Sequence, residues 1–199
     1  MRRPAWLALS LALAACSQPI AEQQERRSNE TLSTIHRRRS VRSFTGAPVE
    51  RSQLEQIVRA GMAAPSAINK QPWAFVVVTD RAQLDALNAG LPSAKMLEKA
   101  GAAIVVCALP GEAARQSRDF AVIDTSAASQ NILLAVESLG LGAVWTAAFP
   151  DEERMRIVRQ TLGIPEEVLP LNVIPIGHPT GAEKPKDKYR ADRIHWDRW

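Results

Sequence analysis

Short apolar runs of strand length alternate with stretches of helical period, and this alternation limits the folds open to the chain. Ala74-Phe-Val-Val-Val-Thr79, Ala102–Ala108 and Leu171-Asn-Val-Ile-Pro-Ile-Gly177 are rich in β-branched residues and bounded by turn signals. The first is entered at Trp73, and Pro175 inside the last implies an edge position or a bend. Between them lie amphipathic segments. Leu54, Ile57, Val58, Gly61 and Met62 share one helix face behind the capping-box pattern Ser52-x-x-Glu55. Asp80 is placed to cap a short helix carrying Leu84 and Leu87, and residues 95–99 read as a turn or two of helix. The longest helix is expected over 118–138, rich in small residues and closed by Leu139-Gly-Leu-Gly142. Ala143-Val-Trp-Thr146 reads as a short strand and Ala147-Ala-Phe-Pro150 as a loop. Asp151 caps a last helix striped by Met155, Val158 and Leu162. Such a chain is α/β in content, built around one sheet with helices on both sides.

Within that frame one connection stands out. Ala64-Pro-Ser-Ala-Ile-Asn-Lys-Gln-Pro-Trp73 joins a helix to a strand through Ser66, Asn69, Lys70 and Gln71, with Pro65 and Pro72 restricting both ends. A stiff polar loop between two buried elements is either a ligand site or an ordinary solvated connection. The basic run Arg37-Arg-Arg-Ser-Val-Arg42 poses a similar choice. Guanidinium forks and a serine hydroxyl can converge on a phosphate, but the same residues can form a solvated face or meet anionic lipid.

The N-terminus looks like a processing segment. Met1-Arg-Arg-Pro supplies positive charge, Ala5-Trp-Leu-Ala-Leu-Ser-Leu-Ala-Leu13 a short apolar core, and Leu13-Ala-Ala-Cys16 small residues before a cysteine. The apolar core is too short to span a bilayer. The segment resembles a bacterial lipoprotein signal, with residues 1–15 removed and Cys16 lipidated. Ser17 at the next position favours the outer membrane. A plain uncleaved anchor or a misassigned start is the alternative. Residues 16–33 would then be a lipidated cysteine and polar tether, helical in part, and residues 34–199 the domain. Loss of Arg2 and Arg3 with the leader would take the net charge from +4 to +2. That mild charge is spread along the chain and by itself argues neither for nor against nucleic acid. Of the two cysteines only Cys107 lies in the domain, inside an apolar strand, where a buried inert thiol is expected and no disulfide.

Several common sites are missing from the sequence. There is no G-x-S-x-G and no C-x-x-C; His36, His178 and His195 lack metal-ligand spacing; and Gly140-x-Gly142 precedes a strand instead of a helix. No catalytic side chain and no metal site emerge from this pattern, which suits a protein that leaves its chemistry to a cofactor.

Four motifs occur in register: Arg38-Arg-Ser-Val-Arg-Ser-Phe44, the 64–73 loop, Ala135-Val-Glu-Ser-Leu-Gly-Leu-Gly-Ala-Val-Trp145 and Gly177-His-Pro179, followed by the basic stretch 184–188. Together they resemble the FMN-dependent nitroreductase family over about residues 34–199. The resemblance implies an α+β fold: an α/β/α sandwich around one mixed, mainly antiparallel sheet, in an intertwined homodimer with FMN at each subunit interface. By position, Arg38, Ser40 and Arg42, with Arg39 beside them, match residues that meet the FMN phosphate and the flavin pyrimidine edge. Pro65, Ser66 and Asn69 match the loop that the second subunit lays against the flavin. Lys95 matches a lysine near the N1/O2 edge, and Lys186 and Lys188 match basic residues that complete the phosphate site. Trp145, Thr146, Ala147 and Ala148 match the segment lining the ring. Relatives often carry a glutamate and a glycine where Ala147 and Ala148 stand. The helix over 118–138 would pack at the dimer interface, and Ile194, Trp196 and Trp199 would wrap the partner.

The implied activity is ping-pong electron transfer from NAD(P)H through FMN to nitro compounds, quinones or related acceptors. The field of Lys95 and Arg42 would assist it in place of a dedicated acid. The implied partners are a nicotinamide donor, a small aromatic or quinone acceptor and a second copy of the chain, with no nucleic acid. Export as a lipid-anchored protein facing the periplasm would leave little NAD(P)H within reach. The domain would be cytoplasmic if the signal is not processed. A flavin-binding or flavin-remodelling protein, and a lipid-tethered module without enzymatic activity, therefore stay open as alternatives.

Overall fold

A computed structural model describes residues 20–199; the signal and Cys16 assignments lie outside the described residues. The chain divides after Ser33. Helix α1 (Ile20–Arg37) occupies much of the expected tether. Then follow α2 (Arg51–Met62), β1 (Trp73–Val78), α3 (Arg81–Gly90), β2 (Ala102–Ala108), α4 (Arg118–Ser138), β3 (Gly142–Ala143), β4 (Thr146–Ala147), α5 (Glu152–Leu162) and β5 (Leu169–Gly177). A 3₁₀ segment, Pro92–Glu98, leads into β2. Among the described residues, no helix is long and apolar enough to cross a membrane.

The sheet runs β1-β2-β5-β3, with β4 also paired to β5, and every named pairing is antiparallel. One isolated parallel bridge, Ser40 to Ala143, makes it mixed. All residues of β2 and β5 are buried, because helices cover both faces. Side chains alternate across a strand. Ala103, Val105, Cys107 and Val173 therefore meet Leu84, Leu87, Met155 and Val158 of α3 and α5. Ala102, Ile104, Val106, Ile174 and Ile176 meet Leu54 and Ile57 of α2 and Ile132 and Val136 of α4. This is the α+β sandwich expected of the resemblance.

Three local expectations need correction. The cap of α2 lies two residues before Ser52: Glu50 is the N-cap, and its N–H donates to Gln53 Oε1 at 3.3 Å. Pro175 lies not at an edge but in an interior strand, paired with Ala103. That position is tolerated because the ladder on the other side of β5 stops between Ala143 and Thr146, opposite Ile174 and Pro175. The expected single strand over 143–146 is for the same reason two short pieces, β3 and β4, and Ala147 belongs to the second. Asp80 and Asp151 do cap α3 and α5, accepting from Gln83 N–H at 2.9 Å and Arg154 N–H at 3.1 Å.

The small residues of α4 mostly serve the interior of the chain. A Cβ on Gly61 of α2 would stand 2.9 Å from Ile132 Cγ1, so a glycine is what lets the two helices approach. Inward-facing Ser129 donates to the Thr125 carbonyl at 3.0 Å and accepts from Asn172 Nδ2 at 2.9 Å. Thr125 Oγ1 in turn donates to the Pro72 carbonyl at 3.3 Å, which ties the start of β1 to the helix. Cys107 is 1% exposed, and burial pushes its thiol up to about 12 against a weak opposing pull from Arg159. It is a packing residue, as its apolar strand suggested.

Candidate functional site: a cationic cavity beside β3

The run 38–44 is held extended by its apolar members. Val41 and Phe44 are buried against Ala100 and Met96. Val41 N–H donates to the Ala143 carbonyl at 2.9 Å, laying the run alongside β3. A Cβ on Gly142 would come within 2.6 Å of Val41 Cγ1, so the close approach depends on glycine there. With Val41 and Phe44 turned inward, the polar residues around them are left for another surface.

That surface is one wall of a cavity of about 350 Å³ lined by Arg38, Arg39, Ser40, Arg42, Glu183, Lys184, Lys186 and Lys188. The opposite wall comes from the segment after β5. It is stitched to the first by Thr45 N–H to the His178 carbonyl and Thr180 N–H to the Ser43 carbonyl, both 3.0 Å. Residues more than a hundred positions apart in sequence thus face each other.

The six cations are not equivalent. Arg39 is committed to the protein: its Nε donates to the Glu183 carbonyl at 2.9 Å, and its Nη1 lies 3.3 Å from Glu137 Oε2. Arg37 also leans on Glu137, at 3.8 Å. By contrast, the side chains of Arg38, Arg42, Lys184, Lys186 and Lys188 have no hydrogen bond or ion pair among the described residues. The single acid on the wall does not neutralise them. Glu183 Oε1 accepts from the N–H groups of Arg42 at 2.8 Å and Ser43 at 3.0 Å. Partial burial raises the Glu183 carboxyl pKa, but those hydrogen bonds outweigh it and hold the group below the usual carboxylate range. Five cations gathered without a counter-ion among the described residues repel one another, and an anion with several acceptor oxygens would relieve that repulsion. A terminal phosphate would suit this donor set.

The other expected positions lie outside this cavity. Lys95 is exposed on the 3₁₀ segment, next to Met96, which packs beneath the 38–44 run. Trp145 is half-buried against the α2/α4 side of the core. Thr146 is buried, its hydroxyl donating to the Val173 carbonyl. Ala147 is exposed opposite Asn172, while Ala148 is buried and its N–H donates to the Leu171 carbonyl at 3.1 Å. This segment follows β3 directly, so Ser40, bridged to Ala143, lies one strand away from it. Pro65, Ser66 and Asn69 belong to the helix-to-strand loop, and none of them lines the cationic cavity.

That loop is strained. Ile68, Asn69 and Gln71 adopt φ of +47°, +57° and +52°, and Ile68 is 80% exposed. A β-branched residue in the left-handed region costs on the order of 1–3 kcal/mol, so neighbours must fix it. They do: Asp124 Oδ1 accepts from Ala67 N–H at 3.1 Å, and Ser66 Oγ accepts from Gln71 N–H at 2.8 Å. Asp124 Oδ2 is buried without a partner.

Sequence reasoning missed Glu183, Lys184, Glu137 and Asp124. Only Glu183 and Lys184 left a trace, as an acid and its neighbour at the head of a basic stretch. Glu137 and Asp124 look like ordinary helix residues until the fold sets them beside Arg39 and the loop.

Comparison with known proteins agrees with this architecture. The nitroreductase family model matches residues 35–91 and 85–178. A protein of Archaeoglobus fulgidus, provisionally named an NADH dehydrogenase/NAD(P)H nitroreductase, is 42% identical over 173 residues, covering 85% of this chain and 99% of its own. The crystal structure of a Parabacteroides distasonis protein with the same provisional name superposes with a TM-score of 0.81 at 49% identity, over 86% of this chain and 99% of that one. A nitroreductase-type protein of Desulfovibrio desulfuricans, solved in complex with FMN, gives a TM-score of 0.72 at 27% identity, over 85% and 97% of the two chains. With the sandwich, the cationic wall and a family match spanning residues 35–178, the chain belongs to the nitroreductase family.

Proposed function

We propose that this protein is an FMN-dependent oxidoreductase that passes electrons from NAD(P)H to nitro compounds, quinones or related acceptors in ping-pong order. The observation that carries the reading is the cavity of about 350 Å³ walled by five cations whose side chains have no protein partner among the described residues. Arg38, Ser40, Arg42, Lys186 and Lys188 would hold the FMN phosphate, with Arg39 as a brace between Glu137 and the Glu183 carbonyl. Lys95 would supply positive charge to the ring's polar edge, and Trp145, Thr146, Ala147 and Ala148 would form the wall behind it. Pro65, Ser66 and Asn69 would come from a second copy. FMN, when bound, supplies the electron relay between donor and acceptor; the chain's part is to bind, orient and exclude water.

The working form in this reading is a homodimer. Among the described residues β1 leaves one sheet edge unpaired, α4 exposes Phe120 and Ile123, and Ile194, Trp196 and Trp199 are exposed at the C-terminus. An open strand edge together with exposed apolar side chains on two further segments is what a partner would cover. The first experiment is the visible spectrum and sizing of residues 17–199 purified with FMN, then treated anaerobically with NADH or NADPH. A dimer with a flavin spectrum that bleaches is expected. Bound flavin that resists both nicotinamides would favour another donor or flavin remodelling, and a folded protein that takes no flavin would sink the cofactor assignment.

The N-terminal reading extends the proposal: residues 1–15 are a lipoprotein signal, Cys16 is lipidated, and the domain faces the periplasm from the outer membrane. An unprocessed signal would leave it in the cytoplasm. Metabolic labelling with a fatty-acid analogue should mark the full chain and not the Cys16→Ala variant. Equal labelling of both would remove the anchor.

A further inference from the structure

The cationic cavity contains one feature that a simple phosphate site does not call for. Glu183 is the single acid on its wall, and yet it makes no ion pair among the described residues. One carboxylate oxygen accepts two successive backbone N–H groups, from Arg42 at 2.8 Å and Ser43 at 3.0 Å. The other is buried and has no partner. The backbone of Glu183 is tied as well, since its carbonyl accepts from Arg39 Nε at 2.9 Å. This one residue therefore grips the 38–43 wall at three points. Lys184 follows it immediately, and Lys186 and Lys188 continue the same segment, all three facing the arginines across the cavity.

We propose that Glu183 is the positioning residue of this cavity. Its carboxylate clasps the Arg42 and Ser43 N–H groups and so holds the lysine-bearing segment against the arginine-bearing one, where a phosphate can be gripped from both sides. The physical need is plain. Without a ligand, the two walls repel each other, because each carries unpaired cations. A carboxylate bound to backbone N–H groups closes that gap with an interaction that the ligand phosphate need not displace. The clasp also has a cost, since a fixed negative charge beside the cavity opposes a dianion. The geometry favours the clasp over a mere stand-in for the ligand. The side-chain oxygen is engaged by backbone N–H groups and the backbone carbonyl by Arg39, so neither takes up the charged group of a cation left unpaired among the described residues.

The inference rests on the FMN reading for its ligand but not for its geometry, and the experiment separates the two. Amide hydrogen exchange is measured first on cofactor-free protein. Glu183→Ala should speed exchange at Arg42 and Ser43 and loosen residues 181–188, whereas Glu183→Gln, which keeps an acceptor oxygen, should leave protection close to wild type. Binding of FMN and riboflavin is then compared. Glu183→Ala should weaken FMN about tenfold or more and leave riboflavin within about twofold, because only the phosphate end is disturbed. Glu183→Gln should bind FMN as tightly as wild type or more tightly, having lost the opposing charge. Unchanged exchange in Glu183→Ala, tighter FMN binding by it, or an equal loss for both flavins would each overturn the proposal. So would a Glu183→Gln variant as weak as Glu183→Ala. If wild-type protein takes neither flavin, the cofactor reading fails, and the exchange measurement alone decides whether the clasp exists.

Discussion

Replacing Arg38 and Lys186 together with alanine is expected to weaken FMN binding by between about thirtyfold and a thousandfold while leaving riboflavin binding nearly unchanged. Each side chain is unpaired among the described residues and faces the same cavity from opposite walls. A hydrogen bond from a charged donor contributes about 1.5–3 kcal/mol. Arg38 is half-buried and Lys186 exposed, so the lysine's share is discounted for solvent screening. Together they amount to about 2–4 kcal/mol, which sets the range given. Charge screening adds a second signature: raising the salt concentration should weaken FMN binding to wild type more steeply than to the double variant. The comparison with riboflavin is what makes the test specific, because it lacks only the phosphate. Parallel loss of both flavins would mean that the two side chains support the fold and not the phosphate, and would move the anion site elsewhere.

The largest stability effect is expected at Ile132. It is fully buried on α4, against Gly61 of α2 and Phe75 of β1, in the core between the helices and the sheet. Ile132→Ala should destabilise the chain by about 2–5 kcal/mol, because a well-packed site relaxes only partly around the cavity left behind. For a chain of this size that corresponds to a melting temperature lower by roughly 5–15 °C. The consequence extends to the strained loop. Asp124 and Thr125, two turns earlier on the same helix, hold Ala67 N–H and the Pro72 carbonyl. Loosening α4 should therefore raise proteolytic cleavage within residues 65–71 before the sheet itself unfolds. A loss below about 1 kcal/mol, measured by denaturant unfolding, would mean that α2 and α4 close over the missing methyl groups and that the glycine contact at Gly61 is not tight.

What could be read from the chain alone was what depends on neighbours in sequence. Period and punctuation placed β2 at Ala102–Ala108 and α4 at Arg118–Ser138, and Asp80 and Asp151 announced their helices through side chains that cap the next turn. The basic run at 38–42 could be recognised as a phosphate candidate because guanidiniums and a hydroxyl within five residues already suggest the chemistry. The cap of α2 failed locally, Glu50 taking the place expected of Ser52, whereas in the sheet a distant strand had intervened. Pro175 is the clearest case: proline rules place it at an edge or a bend, and it lies in the interior of the sheet because β3 and β4 break apart just where its missing N–H would have been needed. The site itself is tertiary. Arg38 and Arg42 gain their meaning from Lys184, Lys186 and Lys188, brought opposite them by the pairing of 43–45 with 178–180. The assignment of Arg39 as a brace and Glu183 as a clasp needed the three-dimensional positions of Glu137 and two backbone N–H groups. Charge type is written in the sequence, but whether a charge is committed or free depends on partners about a hundred residues away, and only the folded chain selects them.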